Sequence, residues 1–402
     1  MKVAIPKERR PHEARVAATV ETVRKLVQLG AHVTVEQGAG AHAFIPDADY
    51  KEVGAKIAET TEAVFTDAEV VLKVQRPMRK EEGIDELALI PEGAVLVALL
   101  DPFGDPEGTA AYAKRRIDAF SMEFIPRISR AQSMDSLSSQ SNLSGYKAVL
   151  DAAAEFGCAI PMMMTAAGRI NPAKIFVMGA GVAGLQAIAT ARRLGAIVSA
   201  TDVRPVAKEQ VESLGASFVM VKSEETEESE TAGGYAKEMS DDYKQRQAEL
   251  VSEHITSQDI VITTALIPGR PAPTLITREM VQSMSPGSVI VDLAVEQGGN
   301  CTLSEPGKVV LKHGITIVGH MNVPSRLAVD ASALYARNVL NFLQPHMNKE
   351  TGDLSFDWED EIVQSTCLTR KGEIVHPSLA NKMPPVPKNE VKSNGDGTEE
   401  SD

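Results

Sequence analysis

The chain has little that would tie it to a membrane, a metal or a disulfide framework. Its three cysteines, Cys158, Cys301 and Cys367, are odd in number and far apart. No CxxC or Cys/His cluster offers zinc spacing, so a reducing cytosol is expected and a metal site is not. Positive charge is short: 41 Lys+Arg against 55 Asp+Glu give a formal net charge of −14, which argues against nucleic acid and anionic lipid as partners. The best apolar run, residues 94–100, falls far below the ~20 residues of a bilayer span. The opening Met1-Lys2-Val3-Ala4-Ile5-Pro6-Lys7 lacks a signal-peptide apolar core. A soluble protein is expected, with any membrane role exercised through a partner. The motifs HExxH, GxSxG and GxxxxGK[ST] are absent, and histidines do not cluster.

What is present centres on Val177-Met178-Gly179-Ala180-Gly181-Val182-Ala183-Gly184. The β-branched run Lys174-Ile175-Phe176-Val177 leads into it, and a helical pattern over residues 182–194 leaves it. A second apolar run, Ile197-Val198-Ser199-Ala200-Thr201, ends in Asp202. Strand, glycine turn, helix, strand and acid together form the dinucleotide fingerprint in its proper context. Gly179 allows the tight turn, Gly181 lets the backbone approach a pyrophosphate, and Gly184 lets helix and strand pack closely. The helix N-terminus offers unpaired N–H groups to phosphate. Asp202 would accept hydrogen bonds from the adenosine ribose and repel a 2′-phosphate. The chemistry expected of such a site is hydride transfer.

A length of 402 residues with 43% hydrophobic content suits two domains of about 100–200 residues each. The first ~125 residues alternate strands (3–5, 32–35, 69–74, 94–99, 117–122) with helices (20–29, 47–55), which predicts a parallel sheet. Gly38-Ala39-Gly40 follows a strand but lacks the third glycine and the helix, so phosphate binding is not expected there. Residues 122–140 are polar and serine-rich and precede a helix predicted over 141–156. They read either as a linker whose serines cap that helix, or as a nucleotide-facing loop in which Arg127 and Gln132 orient a carboxamide and Asp135 accepts a ribose hydroxyl. A second α/β unit spans about 172–318, with strands 217–220, 259–262, 288–293 and 315–318 and a helix over 244–254. Within it, residues 223–243 form an insertion opening on five glutamates and containing Gly233-Gly234-Tyr235. It reads either as a hinge with a closing tip or as a surface loop. A helix over 325–342 would return the chain to the first unit. Residues 354–358 and 361–375 suggest a hairpin turning at Lys371-Gly372, available for dimer contact. The fold expected is α/β: two Rossmann-like domains with parallel sheets, joined by two long helices. The first domain comprises 1–137 plus 328–378, the nucleotide domain 138–327, and a disordered tail 379–402.

Several motifs are more specific. Ile5-Pro6-Lys7-Glu8 with Arg15-Val16-Ala17, Lys73-Val74-Gln75-Arg76-Pro77, the 127–145 loop, Met162-Met163-Met164-Thr165-Ala166-Ala167-Gly168, residues 231–238, and Gly319-His320-Met321-Asn322-Val323-Pro324 resemble the NAD(H)-binding subunit of proton-translocating nicotinamide nucleotide transhydrogenase. The resemblance covers residues 1 to about 378. Alanine dehydrogenase is a sister family of the same fold, similar here at the N-terminus, in the fingerprint and around 286–299. It implies a lysine and a histidine that hold pyruvate and move a proton. The corresponding positions carry Gln75 and Asp101, although Arg15 is retained. A neutral amide supplies neither cation nor acid–base function.

The resemblance implies that NAD(H) binds here, that the second substrate is NADP(H) on an NADP(H)-binding partner subunit, and that hydride passes directly between two C4 atoms. It places Arg127, Ile128, Ser129, Gln132, Ser133, Asp135 and Ser138 at the nicotinamide end, with Arg127, Gln132 and Asp135 as the catalytic positioning residues. It places Gly179, Ala180, Gly181, Val182, Asp202, Val203, Arg204 and Leu266 at the pyrophosphate and adenosine end, and Gly234, Tyr235 and Gln247 at a closing loop. Arg204 remains open between adenine stacking, a salt bridge and a 2′-phosphate contact. A membrane proton-channel subunit, a homodimer and a peripheral position on the cytoplasmic side of the inner membrane are also implied. The alternatives are an NAD-dependent amino-acid (alanine) dehydrogenase and a non-catalytic NAD-binding protein.

Overall fold

The computed structural model describes residues 1–204, 206–221, 241–267, 269–348 and 351–380. Among these described residues seventeen strands follow one another: β1 Lys2–Ile5, β2 His32–Glu36, β3 Lys56–Ala58, β4 Val70–Gln75, β5 Val95–Leu99, β6 Asp118–Ser121, β7 Met163–Thr165, β8 Gly168–Ile170, β9 Lys174–Met178, β10 Ile197–Thr201, β11 Ser217–Phe218, β12 Ile260–Thr263, β13 Val289–Asp292, β14 Lys308–Lys312, β15 Ile315–Gly319, β16 Cys367–Arg370 and β17 Glu373–Ile374. Two large sheets result. The first has the order β17-β16-β6-β5-β4-β1-β2-β3, the second β11-β10-β9-β12-β13-β15-β14. In each, the six parallel strands run in the doubly wound 3-2-1-4-5-6 order. Each sheet also carries an antiparallel edge, β16–β17 on the first and β14 on the second. This is the expected α/β fold with parallel sheets.

The apolar runs are continuous because both faces of each sheet are covered. In β4, Val70, Leu72 and Val74 enter one core while Val71 enters the core on the opposite face. In β12, Ile260 and Ile262 face one way and Val261 the other. Tyr335, Val339, Phe342 and Leu343 of the helix Ala328–Leu343 fill the first of these cores, and Tyr335 also donates from its hydroxyl to the Lys73 carbonyl at 2.8 Å. A strand-side helix, Ser136–Glu155, runs from the first sheet to the second. These are the two long helices read from the sequence.

Several boundaries differ from expectation. The helix expected from 141 starts at Ser136, because Asp135, not a serine, caps it: its carboxylate accepts the Ser138 N–H at 2.9 Å. The helix expected from 325 is preceded by a 3-10 turn, Val323–Leu327, and starts at Ala328. Residues 361–366 form a helix capped by Asp360 rather than part of a hairpin arm. The hairpin does turn at Lys371-Gly372, but β16 pairs with β6 and completes the first sheet, so its backbone edge is used within the chain. Leu379 is buried in the short helix Pro377–Ala380, and the expected tail otherwise lies outside the described residues. Gly40 is a packing glycine: a Cβ there would sit 2.7–2.9 Å from Ile45 and Tyr50.

The helix Ser136–Glu155 lies against Val182–Arg193, the helix that leaves the glycine turn. Gly145 makes the approach possible, because a Cβ at 145 would lie 2.0 Å from the Ala183 carbonyl oxygen. That neighbour is backbone and cannot rotate aside. Gly145→Ala is expected to lower stability by ~1–3 kcal/mol, the range for overpacking a close contact. Gly157→Ala, at a position with nothing within 4 Å, serves as the neutral control in urea denaturation. Equal midpoints for the two variants would contradict the close crossing.

Candidate functional site

The 3-2-1-4 order places a crevice between the first and fourth strands of each sheet, beyond their carboxyl ends. In the second sheet this crevice lies between β9 and β12. Gly179, at φ +105°, turns the chain there, and Thr264 donates from its hydroxyl to the Gly179 carbonyl at 3.1 Å. A Cβ at Gly184 would fall 1.8 Å from that same carbonyl oxygen, so the third glycine is required by helix–turn packing. Gly181 differs. No protein atom lies within 4 Å of the place its Cβ would take, and it precedes the helix Val182–Arg193 without a side-chain cap. Open space beside uncapped N–H groups fits an anionic diphosphate. Val182, Val203, Leu266 and Ile267 are exposed around this opening.

Asp202 stands at the end of β10. Its carboxylate accepts the Ala180 N–H at 2.7 Å and the Arg204 N–H at 2.8 Å. The Arg204 side chain adds Nε at 2.9 Å and an Nη at 3.1 Å. Burial would raise the Asp202 pKa, but these four donors outweigh it and hold the carboxyl below its ordinary value. Gln247 sits on the helix Asp241–Ile255 and is already engaged. It donates to Thr201 Oγ1 at 3.1 Å and to the Val219 carbonyl at 3.2 Å, and accepts the Val221 N–H at 2.8 Å. It therefore braces β10 and the segment after β11. Gly234 and Tyr235 lie outside the described residues.

The loop after β6 carries the residues expected at the nicotinamide end. Ile128 packs on the first core, and Ala131 and Met134 are buried. Their burial fixes a 3-10 turn, Ser129–Met134, and leaves Arg127, Ser129, Gln132 and Ser133 exposed. Asn338 and Asn341 donate to the Ser133 carbonyl at 2.9 and 3.0 Å, anchoring the turn to the returning helix. Asp135 and Ser138 are half-buried and bonded to each other, with the Ser138 hydroxyl 2.6 Å from the carboxylate. Helix capping, by Asp135 rather than a serine, and an exposed polar face thus coexist in one loop.

The crevice of the first sheet, between β1 and β4, is a recess of about 220 Å³ lined by Arg10, His12, Gln75, Glu296 and Asn322 among others. The cations around it are already paired. Arg15, 3% exposed, holds Glu13 with Nε at 2.8 Å and Nη at 2.7 Å, and donates its remaining groups to Gln140 and Asn322 at 2.9 and 3.1 Å. Gln75 donates to the same Glu13 at 2.8 Å. Lys73 is enclosed between Glu8 and Glu86 at 3.2 and 3.1 Å. Arg10 makes a two-pronged pair with Glu82 at 2.8 and 3.0 Å. Asp101 caps the Gly104 N–H at 3.2 Å, and burial raises its pKa.

Sequence reasoning missed two groups. Glu13, Gln140 and Asn322 complete the Arg15 knot. Asp292 and Asn300 shape the crevice wall: Asn300 accepts from the Ala265 N–H and donates to the Ala265 carbonyl, at 3.0 and 2.9 Å. Asp292 in turn accepts the Asn300 and Cys301 N–H groups at 3.1 and 3.0 Å. Among the described residues no group of histidine, cysteine, aspartate and glutamate could hold a metal.

Comparison with known proteins shows what the chain is similar to. Residues 4–144 match the family described as alanine dehydrogenase/PNT, N-terminal domain, and residues 148–377 the corresponding C-terminal domain. The chain is 61% identical over 382 residues to the first of the separately named parts of NAD(P) transhydrogenase subunit alpha in Rhodospirillum rubrum, covering 95% of this chain and 100% of that one. The crystal structure of transhydrogenase from Sinorhizobium meliloti matches with a TM-score of 0.84 at 54% identity, over 93% of this chain and 100% of that one. An alanine dehydrogenase of Methanococcus maripaludis is more distant, 27% identical over 359 residues, 87% of this chain and 88% of that one.

The Arg15 knot has a pH signature. Burial alone would raise the Glu13 pKa, but the hydrogen bonds and charge of Arg15, with the Gln75 amide, bring it from 4.5 to about 2. A depressed carboxylate stabilises the fold above its unfolded pKa, and the contribution is lost as pH falls from about 4.5 towards 2. A shift of that size corresponds to about 3 kcal/mol. Glu13→Gln is expected to cost about 3–5 kcal/mol near pH 7, because it leaves Arg15 buried without a counter-charge. It should also flatten the loss of urea stability between pH 5 and 3 on the scale of that linkage. A variant with the wild-type acid profile would contradict the assignment.

Proposed function

The chain belongs to the family of NAD(P) transhydrogenase alpha subunits, oxidoreductase components within the alanine dehydrogenase/PNT group, and from that premise we propose that it holds NAD(H) for direct hydride exchange with NADP(H) bound on a partner subunit. In this proposal a membrane partner couples the exchange to proton translocation. Among the described residues no helix is long and apolar enough to cross a membrane; in the proposal the chain sits on the inner membrane's cytoplasmic side through its partners. The exposed hairpin β7–β8, with Met162, Met164 and Ile170 in solvent, supports a homodimer. The two sheets, each with its own cores, support the division into 1–137 plus 328–378 and 138–327.

The observation that carries the reading is the contrast between the two crevices. The second is open at Gly181 and accepts a diphosphate. In the first, Arg10, Arg15 and Lys73 already have carboxylate partners, and position 75 is a neutral amide. A 2-oxo acid would find Arg10, Arg15 and Lys73 already paired rather than free for its carboxylate, and at position 75 an amide in place of an acid–base group. Hydride transfer between two nicotinamides needs neither a free cation nor an acid–base group. It requires two carbons held about 3–3.5 Å apart. Bound NADH supplies the hydride. The chain's own residues fix where its nicotinamide points: the exposed Arg127 and Gln132 would hold the carboxamide, and Asp135 with Ser138 the ribose.

The alternative, an alanine dehydrogenase, keeps Arg15 and the fold in its favour. The two readings separate when the protein is supplied with NADH and either a purified NADP(H)-binding partner carrying an NADP analogue or pyruvate with ammonia. Turnover is expected with the first acceptor and none with the second. Alanine formation without transfer to the nucleotide would overturn the proposal. In the same assay Gln132→Ala and Asp135→Asn are expected to slow transfer at saturating NADH about tenfold or more while changing the NADH Kd less than about threefold, as for interactions realised at the reacting geometry. Asparagine also caps helices, so Asp135→Asn tests ribose contact without removing the cap. Equal losses of binding and rate would argue against positioning.

A further inference from the structure

The ribose-facing acid is not vacant. Both Asp202 oxygens accept hydrogen bonds from Arg204: Oδ1 from Nε at 2.9 Å and Oδ2 from an Nη at 3.1 Å. The Asp202 side chain is only 6% exposed, while that of Arg204 is 49% exposed, so the arginine covers the carboxylate on its solvent side. Two backbone donors hold the carboxylate independently, Ala180 N–H at 2.7 Å and Arg204 N–H at 2.8 Å. The acid therefore keeps its orientation whether or not the guanidinium is present. A second Nη contact, 3.4 Å to the Ala180 carbonyl, brings the guanidinium to the edge of the glycine turn.

Taking the reading that this turn holds a dinucleotide, we infer that Arg204 is a displaceable occupant of the adenosine-ribose position and the residue that sets how strictly a 2′-phosphate is refused. The acceptor positions that ribose hydroxyls would use on Asp202 are those Arg204 uses. An incoming ribose must turn the guanidinium outward. The cost is offset, because the ribose hydroxyls donate to the acceptor positions that the guanidinium gives up, and the half-exposed guanidinium is taken up by water. Once turned out, the same guanidinium lies beside the 2′ position. For NADH it has nothing there to neutralise. For NADPH it would meet a phosphate, for which an arginine fork is well matched. Asp202 alone would exclude the phosphate by like-charge repulsion, and Arg204 softens that exclusion. The inward-facing pair explains how an arginine can stand two residues after the ribose acid in a site that takes NADH.

The test is a fluorescence titration of NADH and NADPH against the full chain and three variants. The wild type should bind NADH more tightly than NADPH; failure to bind NADH would sink the dinucleotide reading itself, separately from the role of Arg204. Arg204→Ala should bind NADH unchanged to about fivefold more tightly and NADPH about tenfold or more weakly, since an uncovered, well-oriented carboxylate then faces the 2′ group. Arg204→Lys keeps the charge without the fork, and should fall between wild type and alanine for NADPH. Asp202→Asn should narrow the preference for NADH by about tenfold. If Arg204→Ala changes both affinities equally, the side chain acts on adenine or on the fold and the inference is wrong; the same holds if the NADH:NADPH ratio does not move.

Discussion

The helix crossing at Gly145 is the contact on which the arrangement of the candidate site depends. It permits the connecting helix Ser136–Glu155 to lie directly on the helix that leaves the glycine turn. The connecting helix begins at Asp135, on the loop assigned to the nicotinamide, and ten residues later touches Ala183, two residues beyond Gly181. At ~1.5 Å per residue this is a rigid spacer of about 15 Å. Both ends of a dinucleotide would thus be gripped by one piece of secondary structure, whose position is set by backbone contact. Side chains at the crossing have no room to adjust.

Charge saturation is the second constraint. Each sheet offers a crevice at its switch point, and a two-substrate dehydrogenase of this architecture would use both. Here the cations around the first, Arg10, Arg15 and Lys73, are paired with the chain's own carboxylates. The Glu13–Arg15 pair also reaches Gln140 on the connecting helix and Asn322 where the chain leaves β15. A buried pair of this kind contributes little net stability over an apolar substitute, but it is costly to break. Its consequence is specificity of arrangement: four separate segments are held in one register, and no cation in the knot remains for a small acid. The proposed chemistry, placement of a cofactor without proton transfer, is compatible with that pairing.

Much of this was legible in the residues. The fingerprint at Gly179, Gly181, Gly184 and Asp202 could be read because each glycine answers a local steric demand, and the structure finds those demands at Gly179 and Gly184 and open space at Gly181. Parallel sheets followed from runs apolar on both faces. The connecting helix starts five residues before the expected 141, because a single aspartate within a serine-rich stretch caps it. The 361–366 segment alternates like a strand, yet Asp360 caps it as a helix. The bonds that the Gln247 amide makes to Thr201, Val219 and Val221 had no sequence signature. The partners of Arg15 and the Asp292–Asn300 brace could not be found by spacing, because they join residues up to 307 positions apart or engage backbone groups that have no sequence signature.

On this reading the chain is a holder that aims one nicotinamide at another without an acid–base group. The most direct measurement follows the label: NADH deuterated at the transferring C4 position is mixed with this chain and the NADP-loaded partner component, and the product NADPH is examined by mass spectrometry and NMR. Direct transfer predicts that the deuterium is recovered in the NADPH, with no hydrogen from solvent at that carbon. Loss of the label to water, or its appearance only in an amino acid when pyruvate and ammonia are supplied, would contradict it.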